Sequence, residues 1–243
     1  MEPVLIAAVF VLAGLVKGVI GLGLPTISMG LLAVIMPPAE AAALLIVPSL
    51  VTNVWQMFAG PHLLPLVRRL WLTMLGVCAG TWAGAGLMTG NHGHLGTALL
   101  GIALAAYAVT GLASLRLSVG ASAESWLGPL VGGITGLITA ATGVFVIPAV
   151  PYLQAIGLEK DELVQALGLS FMVSTLALAV NLAMAGTFNV SLAGPSIGTL
   201  AMAAAGMWLG QGLRTRLSPV TFRIWFFVAL LLLGLYLLAR ATL

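Results

Sequence analysis

The chain has 243 residues, 61% of them hydrophobic and only 6% charged, with a formal net charge of +3. A soluble domain carries roughly 25% charged residues, so a soluble fold is excluded, and no basic cluster outside the short connections would hold a nucleic acid. The apolar runs lack the period-two alternation of a transmembrane β-barrel, which leaves an all-α polytopic membrane protein.

The N-terminal Met-Glu-Pro lacks the positive n-region of a cleaved signal and is expected to belong to the mature protein. The first apolar run, residues 4–36, has Lys17 as its only charge. Its 33 residues are too many for one helix at about 20 residues per crossing and too few for two crossings and a turn. Gly21-Leu-Gly-Leu-Pro25 breaks it, which predicts a re-entrant hairpin or broken helix with non-helical backbone at depth. Runs at 41–59, 70–89 and 95–115 each match a single crossing. Residues 126–157 repeat the first pattern, with Thr139-Ala-Ala-Thr-Gly143 at the break. Three further crossings follow at 163–185, 192–213 and 224–239, the last lengthened by Pro219–Phe222 if Arg223 snorkels.

This order, a hairpin plus three crossings stated twice, predicts repeats over 1–118 and 119–243. Sequence identity supports the duplication. "GTWAGAGL" at 80–87 matches "GMWLGQGL" at 206–213, and "GLVKGVIGLGLP" at 14–25 is aligned with "GITGLITAATGV" so that Gly18 meets Gly136 and Lys17 meets Thr135. The two offsets, 126 and 118, differ by about eight residues, an insertion placed around the charged tetrapeptide Glu159–Glu162. Cytoplasmic loops collect Lys and Arg. Arg68 and Arg69, Arg116, and Arg214, Arg216 and Arg223 mark loops 60–69, 116–125 and 214–223 as inside, whereas 90–94 and 186–191 carry no base and read as outside. The bias flips between equivalent loops, as in inverted-topology repeats. Both termini then lie outside, and a homodimer is left open.

Broken helices in inverted repeats place a ligand site near the midplane, where the hairpin tips are expected to meet. Helix N-termini there favour an anion, and glycine lets backbone approach it. Lys17 supplies a candidate counter-charge, some 14 residues and on the order of 20 Å from the N-terminal edge. The alternative is that it snorkels to the opposite face or ties to a carbonyl, but intramembrane charges are functional candidates first. The candidate anion-binding residues in the first half are Lys17, Gly21, Gly23, Thr26, Ser28, Ser49, Asn53 and Gln56, with Thr52 beside them. Those in the second half are Thr139, Thr142, Gly143, Ser170 and Ser174, with Thr135, Thr175 and Asn181 nearby. Neutral hydroxyls and amides suit an oxyanion that has lost its water.

No carboxylate lies deep in a run, so no proton relay or charged sodium site is visible, and a uniporter driven by membrane potential is plausible. Glu40 beside Pro37 and Pro38 reads as an interfacial helix start. His92 and His94 lack a third metal ligand. Trp55, Trp71, Trp126 and Trp225 read as interfacial anchors. The spacings Gly76–Gly80–Gly84 and Gly206–Gly210 read as helix packing. The single Cys78 excludes an intrachain disulfide framework. Catalytic and cofactor motifs are absent.

The segments "GLVKGVIGLGLPTISMG" and "GGITGLITAATGVFVIP", each followed by a Ser- and Thr-rich span, together with the "GTWAGAGL" and "GMWLGQGL" blocks, resemble the sulfite exporter TauE/SafE family of membrane permeases over almost the whole chain. Both halves depart from its Gly-Gly-Gly-x-x-x-x-Pro form: the first has Gly23-Leu-Pro and Gly30 where a later proline is expected, while the second has Ala140-Ala-Thr-Gly143 and keeps Pro148. The resemblance implies transport of sulfite, a sulfonate or another small organic anion across the bacterial inner membrane, frequently outward. The expected function is therefore anion transport by alternating access, the partners being the anion and the lipid bilayer. A passive anion channel and, less favoured, a membrane enzyme or assembly factor are the competing readings.

Overall fold

The computed structural model describes residues 2–89, 93–113, 117–187, 193–214 and 216–242. Arg116, His92 and most of the 90–94 and 186–191 connections lie outside these residues. Ten α-helices are described: α1 (Glu2–Ile20), α2 (Leu24–Leu32), α3 (Pro38–Met57), α4 (Leu63–Ala83), α5 (Gly93–Ala113), α6 (Ala121–Thr142), α7 (Ala149–Ala155), α8 (Lys160–Met184), α9 (Ala193–Arg214) and α10 (Pro219–Thr242). Six of them, α1, α3, α4, α5, α8 and α10, are long and apolar enough to cross a membrane. α6 and α9 reach 22 residues each but are not among the six; they are rich in glycine, alanine and hydroxyl residues, whose use lies in packing.

Local chemistry explains the helix limits. Pro37 caps α3 and Pro38 opens it, where a missing N–H costs nothing, and exposed Glu40 sits in the first turn against the positive end of the dipole. Pro48, inside α3, cannot donate to the carbonyl of Leu44; the Thr199 hydroxyl of α9, which donates to its own Ser196 carbonyl at 2.9 Å, stands 3.4 Å from it. Glu159–Glu162 is not a connecting loop: the Glu159 N–H donates 3.1 Å to the Glu162 carboxylate, and α8 begins at Lys160.

Four pairings build the core. α1 runs parallel to α9 and α4 runs parallel to α6, each pair touching through glycine. A Cβ on Gly206 would lie 2.0 Å from the Val11 carbonyl oxygen, and one on Gly210 2.1 Å from that of Leu15. On the other pair, a Cβ on Gly80 would lie 2.0 Å from the Gly133 oxygen, and one on Gly76 2.4 Å from that of Pro129. The packing reading of these glycines is therefore correct. α5 and α10 run antiparallel, since Gly101 abuts Gly234 while Gly111 abuts Phe227. α3 and α8 cross antiparallel, because Asn53 meets Thr175 while Gln165 meets Met57.

These directions sort the polar connections onto two ends of the bundle. At one end, Gln165 staples the α3–α4 turn from α8. Its amide N–H groups donate to the carbonyls of Met57 (2.8 Å) and Gly60 (2.6 Å), and its oxygen accepts from His62 N–H (2.8 Å). Arg69 there donates to both oxygens of Glu124 and to the Ile156 carbonyl, clasping α4, α6 and the chain after α7. Val119 N–H donates 2.8 Å to the Ala155 carbonyl beside it. At the opposite end, Arg240 donates to the carbonyl of Val34 in the α2–α3 turn. Gln165→Leu is expected to lower stability by about 2 kcal/mol, because three backbone groups lose one shared partner. A thermal melt in detergent measures this, and an unshifted midpoint contradicts the staple.

The hairpins differ from a simple in-and-return loop. α1 and α6 are nearly full crossings, at 19 and 22 residues, while the return arms α2 and α7 have 9 and 7. Their spacing also differs from the alignment above. Gly21 and Gly143 both have positive φ (75° and 70°), and each donates its N–H over 2.8 Å to the carbonyl four residues back. Position 143 follows 21 by 122 residues, and the α8 start at 160 follows the α3 start at 38 by the same interval. At that interval Lys17 falls on Thr139, one helical turn from Thr135. α8 has 25 residues against 20 in α3.

Candidate functional site

Lys17 lies one turn before the first break, where α1 carries it against α3. It is 5% exposed, so it does not snorkel. Its Nζ donates to Thr52 Oγ1 at 3.0 Å and to Asn53 Oδ1 at 2.5 Å. Thr52 can accept because its own proton goes to the Pro48 carbonyl at 2.7 Å. The Asn53 amide then donates 3.4 Å to Thr175 Oγ1 on α8, and Thr175 donates 2.6 Å to the Phe171 carbonyl. A chain of hydrogen bonds thus runs from α1 through α3 to α8. An ammonium has three N–H donors; two have partners among the described residues, and no carboxylate pairs with it.

Several buried hydroxyls surround the α3–α8 crossing without partners among the described residues. Ser49 on α3 and Ser170 and Ser174 on α8 are at most 1% exposed, and their oxygens make no hydrogen bond. Ser28 on α2 is equally buried and unpartnered, and its neighbour Met29 packs against Gly143 of the second break. Buried polar groups are ordinarily satisfied, so this concentration of free donors near a buried cation is chemically pointed.

The other predicted residues hold structure. Thr26 donates to the Gly23 carbonyl at 3.0 Å and Thr139 to that of Thr135 at 2.7 Å. Thr142 donates to the Ile138 carbonyl at 2.7 Å while accepting from Val144 N–H at 3.1 Å, closing the second break. Gln56 donates to the Val164 carbonyl at 3.2 Å and keeps a free oxygen. Asn181 reaches the Thr81 carbonyl at 3.4 Å.

A Cβ built at either glycine break would not touch the other break. Gly23 abuts Val16 of its own hairpin and Phe226 of α10, and nothing stands within 4 Å of a Cβ on Gly21. Gly143 instead meets Met29 of the first return arm. The cause is the length of α1 and α6, which carries each break past the middle toward the far end of its partner helix. Nor is there a helix N-terminus at the second tip, since Val144–Pro148 separate Gly143 from α7. What converges is Lys17 with the hydroxyls and amides of α3 and α8.

Gln165, Ser196 and Tyr107 escape the sequence reading. Gln165 is 1% exposed and carries the turn staple; Ser196 and Tyr107 are buried with unpartnered hydroxyls. An amide early in the apolar run at 163–185 was the signal for Gln165, parallel to Gln56. A cavity of about 430 Å³ lies beside His62 and Glu159–Glu162, and one of about 380 Å³ lies beside the 33–38 turn and Arg240. Neither is lined by Lys17.

Neither the curated proteins nor the solved structures compared with the chain give a match. A family match, described as sulfite exporter TauE/SafE, covers residues 6–237. The duplicated glycine breaks and the helix-packing glycines lie inside that span, and the chain belongs to the sulfite exporter TauE/SafE family of membrane permeases.

Proposed function

We propose that the protein transports small oxyanions by alternating access, with the anion held against Lys17 and the hydroxyls of α3 and α8. The observation that carries this reading is the buried ammonium, which among the described residues has a third N–H unused and no carboxylate partner. A buried charge without a counter-charge is expensive, and an anion would supply the missing partner while the free hydroxyls of Ser49, Ser170 and Ser174 replace its water. The burial of Lys17, at 5% exposure, favours a carrier over an open channel.

Inverted repeats and an orientation complete the proposal. Equivalent helices α3 and α8, and likewise α5 and α10, run antiparallel, and the parallel pairs α1–α9 and α6–α4 exchange under the same relation. Arg68, Arg69, Lys160, Arg214, Arg216 and Arg223 gather at one end, which the charge rule assigns to the cytoplasm; both termini then face outward. The repeats divide between α5 and α6, at 118 and 119. Sulfite or a sulfonate, carried outward across the bacterial inner membrane, is the substrate class that the family supports.

Uptake into proteoliposomes across sulfite, thiosulfate, sulfonates and carboxylates tests the function. At least one is expected to accumulate with saturable kinetics at carrier rates. If no anion is taken up and none shifts the melting temperature, the anion site is wrong.

A further inference from the structure

One half of the fold holds a cation one turn before its break, and the other half does not. Lys17 and Thr139 are equivalent: each accepts the 2.8 Å bond of the positive-φ glycine that ends its helix. Thr52 and Asn53, the acceptors of Lys17, stand 14 and 15 positions after the α3 start at 38, and Ser174 and Thr175 stand 14 and 15 after the α8 start at 160. Asn53 and Thr175 touch at 3.4 Å, so equivalent positions meet where α3 crosses α8. Lys17, Thr52 and Asn53 thus match Thr139, Ser174 and Thr175 at one common interval of 122 residues. In the second half Thr139 and Ser174 are fully buried, and the Ser174 hydroxyl has no partner among the described residues.

Resting on the reading of Lys17 as the counter-charge, we infer that Thr139 sets the charge of the substrate. The site offers one compensating cation, so the protein carries monoanions and rejects dianions, and the Ser174 hydroxyl donates to a further oxygen of the same anion. A dianion would leave one buried negative charge unpaired, a penalty that corresponds to roughly 100-fold discrimination. A lysine at 139 would find Ser174 and Thr175 in the places that Thr52 and Asn53 hold for Lys17.

Methanesulfonate and sulfate, both tetrahedral and one charge apart, are the probes for uptake into proteoliposomes. Wild-type protein is expected to prefer methanesulfonate by about 100-fold. Thr139→Lys is expected to reverse that order, and the exchange Lys17→Thr with Thr139→Lys to restore it by moving the single cation to the other half. A folded Thr139→Lys protein with the wild-type preference, or a wild type that prefers sulfate, overturns the inference. Where Thr139→Lys does not yield a monodisperse protein, Ser174→Ala decides: methanesulfonate uptake falls about 5- to 10-fold with its preference over sulfate kept, and unchanged uptake overturns the Ser174 role. Full activity in Lys17→Thr, or uptake of neither probe by the wild type, defeats the underlying Lys17 reading as well. An inactive Lys17→Thr beside a Thr139→Lys protein of wild-type preference defeats the Thr139 inference alone.

Discussion

Lys17→Met is expected to reduce anion transport about 100-fold while leaving the melting temperature of the substrate-free protein unchanged or raised. The loss follows from truncating one partner of a buried, hydrogen-bonded charge pair, which costs roughly 2–5 kcal/mol, or some one and a half to three and a half decades at 1.4 kcal/mol per decade. The stability term has the opposite sign. Without substrate, the ammonium is held only by the neutral Thr52 and Asn53 oxygens, and exchanging a buried charge for an apolar chain of similar volume is commonly neutral or stabilising. Thr52 keeps its bond to Pro48 in the variant, so only Asn53 Oδ1 loses a donor. Saturating anion should then stabilise the wild type, by about 2.7 kcal/mol at a hundred times its Kd, and leave Lys17→Met unmoved. Transport assays and melting curves with and without anion read both effects. Wild-type transport by Lys17→Met would remove the counter-charge from the mechanism; a large fall in the melting temperature without substrate would make Lys17 a structural tie.

The contrast between these two terms bears on what the sequence revealed. Composition and run length were enough for the helices, because apolar burial in lipid is set by counts of residues and hardly by their identity. The candidate residues were legible for a related reason: a lysine, an asparagine or a serine in an apolar run is conspicuous, and Lys17 does meet Thr52 and Asn53, with Thr175 beyond them. Their geometry was less accessible. Glycines recur every four residues along α1, α4, α6 and α9, so an alignment slipped by one helical turn preserves the pattern and still pairs Gly18 with Gly136. The backbone at Gly21 and Gly143, with its positive φ and its bond to the carbonyl four residues back, offers a different interval of 122 residues. Hairpin depth was hidden because a break marks where a helix stops and not how far it has travelled. Gln165 was missed because its partners are backbone carbonyls and an N–H, which carry no side-chain signature.

Gly206→Ala is expected to destabilise the fold by about 3 kcal/mol, whereas Gly198→Ala, eight residues earlier in the same helix, is expected to be neutral or stabilising. Both changes relieve the conformational freedom of a helical glycine, worth roughly 0.5–1 kcal/mol in favour of alanine. They differ in what the new methyl group meets. At Gly198 nothing stands within 4 Å, but at Gly206 the Cβ would sit 2.0 Å from the Val11 carbonyl oxygen and 2.9 Å from Leu15 N. Backbone cannot yield as a side chain does, so α1 and α9 must separate along their length. Helices in lipid gain most of their association from such close contact, which the small residues permit, and overpacking typically costs 1–3 kcal/mol or somewhat more. The same reasoning predicts a comparable loss for Gly80→Ala, whose Cβ would meet the Gly133 oxygen at 2.0 Å. The effect reaches function because α1 carries Lys17: a shifted α1 draws the ammonium away from Thr52 and Asn53, so transport should fall even in the fraction that remains folded. Melting curves and transport per folded molecule, compared across Gly206→Ala, Gly80→Ala and Gly198→Ala, separate the two consequences. Equal melting temperatures for Gly206→Ala and Gly198→Ala would show that α1 and α9 are not held by backbone contact.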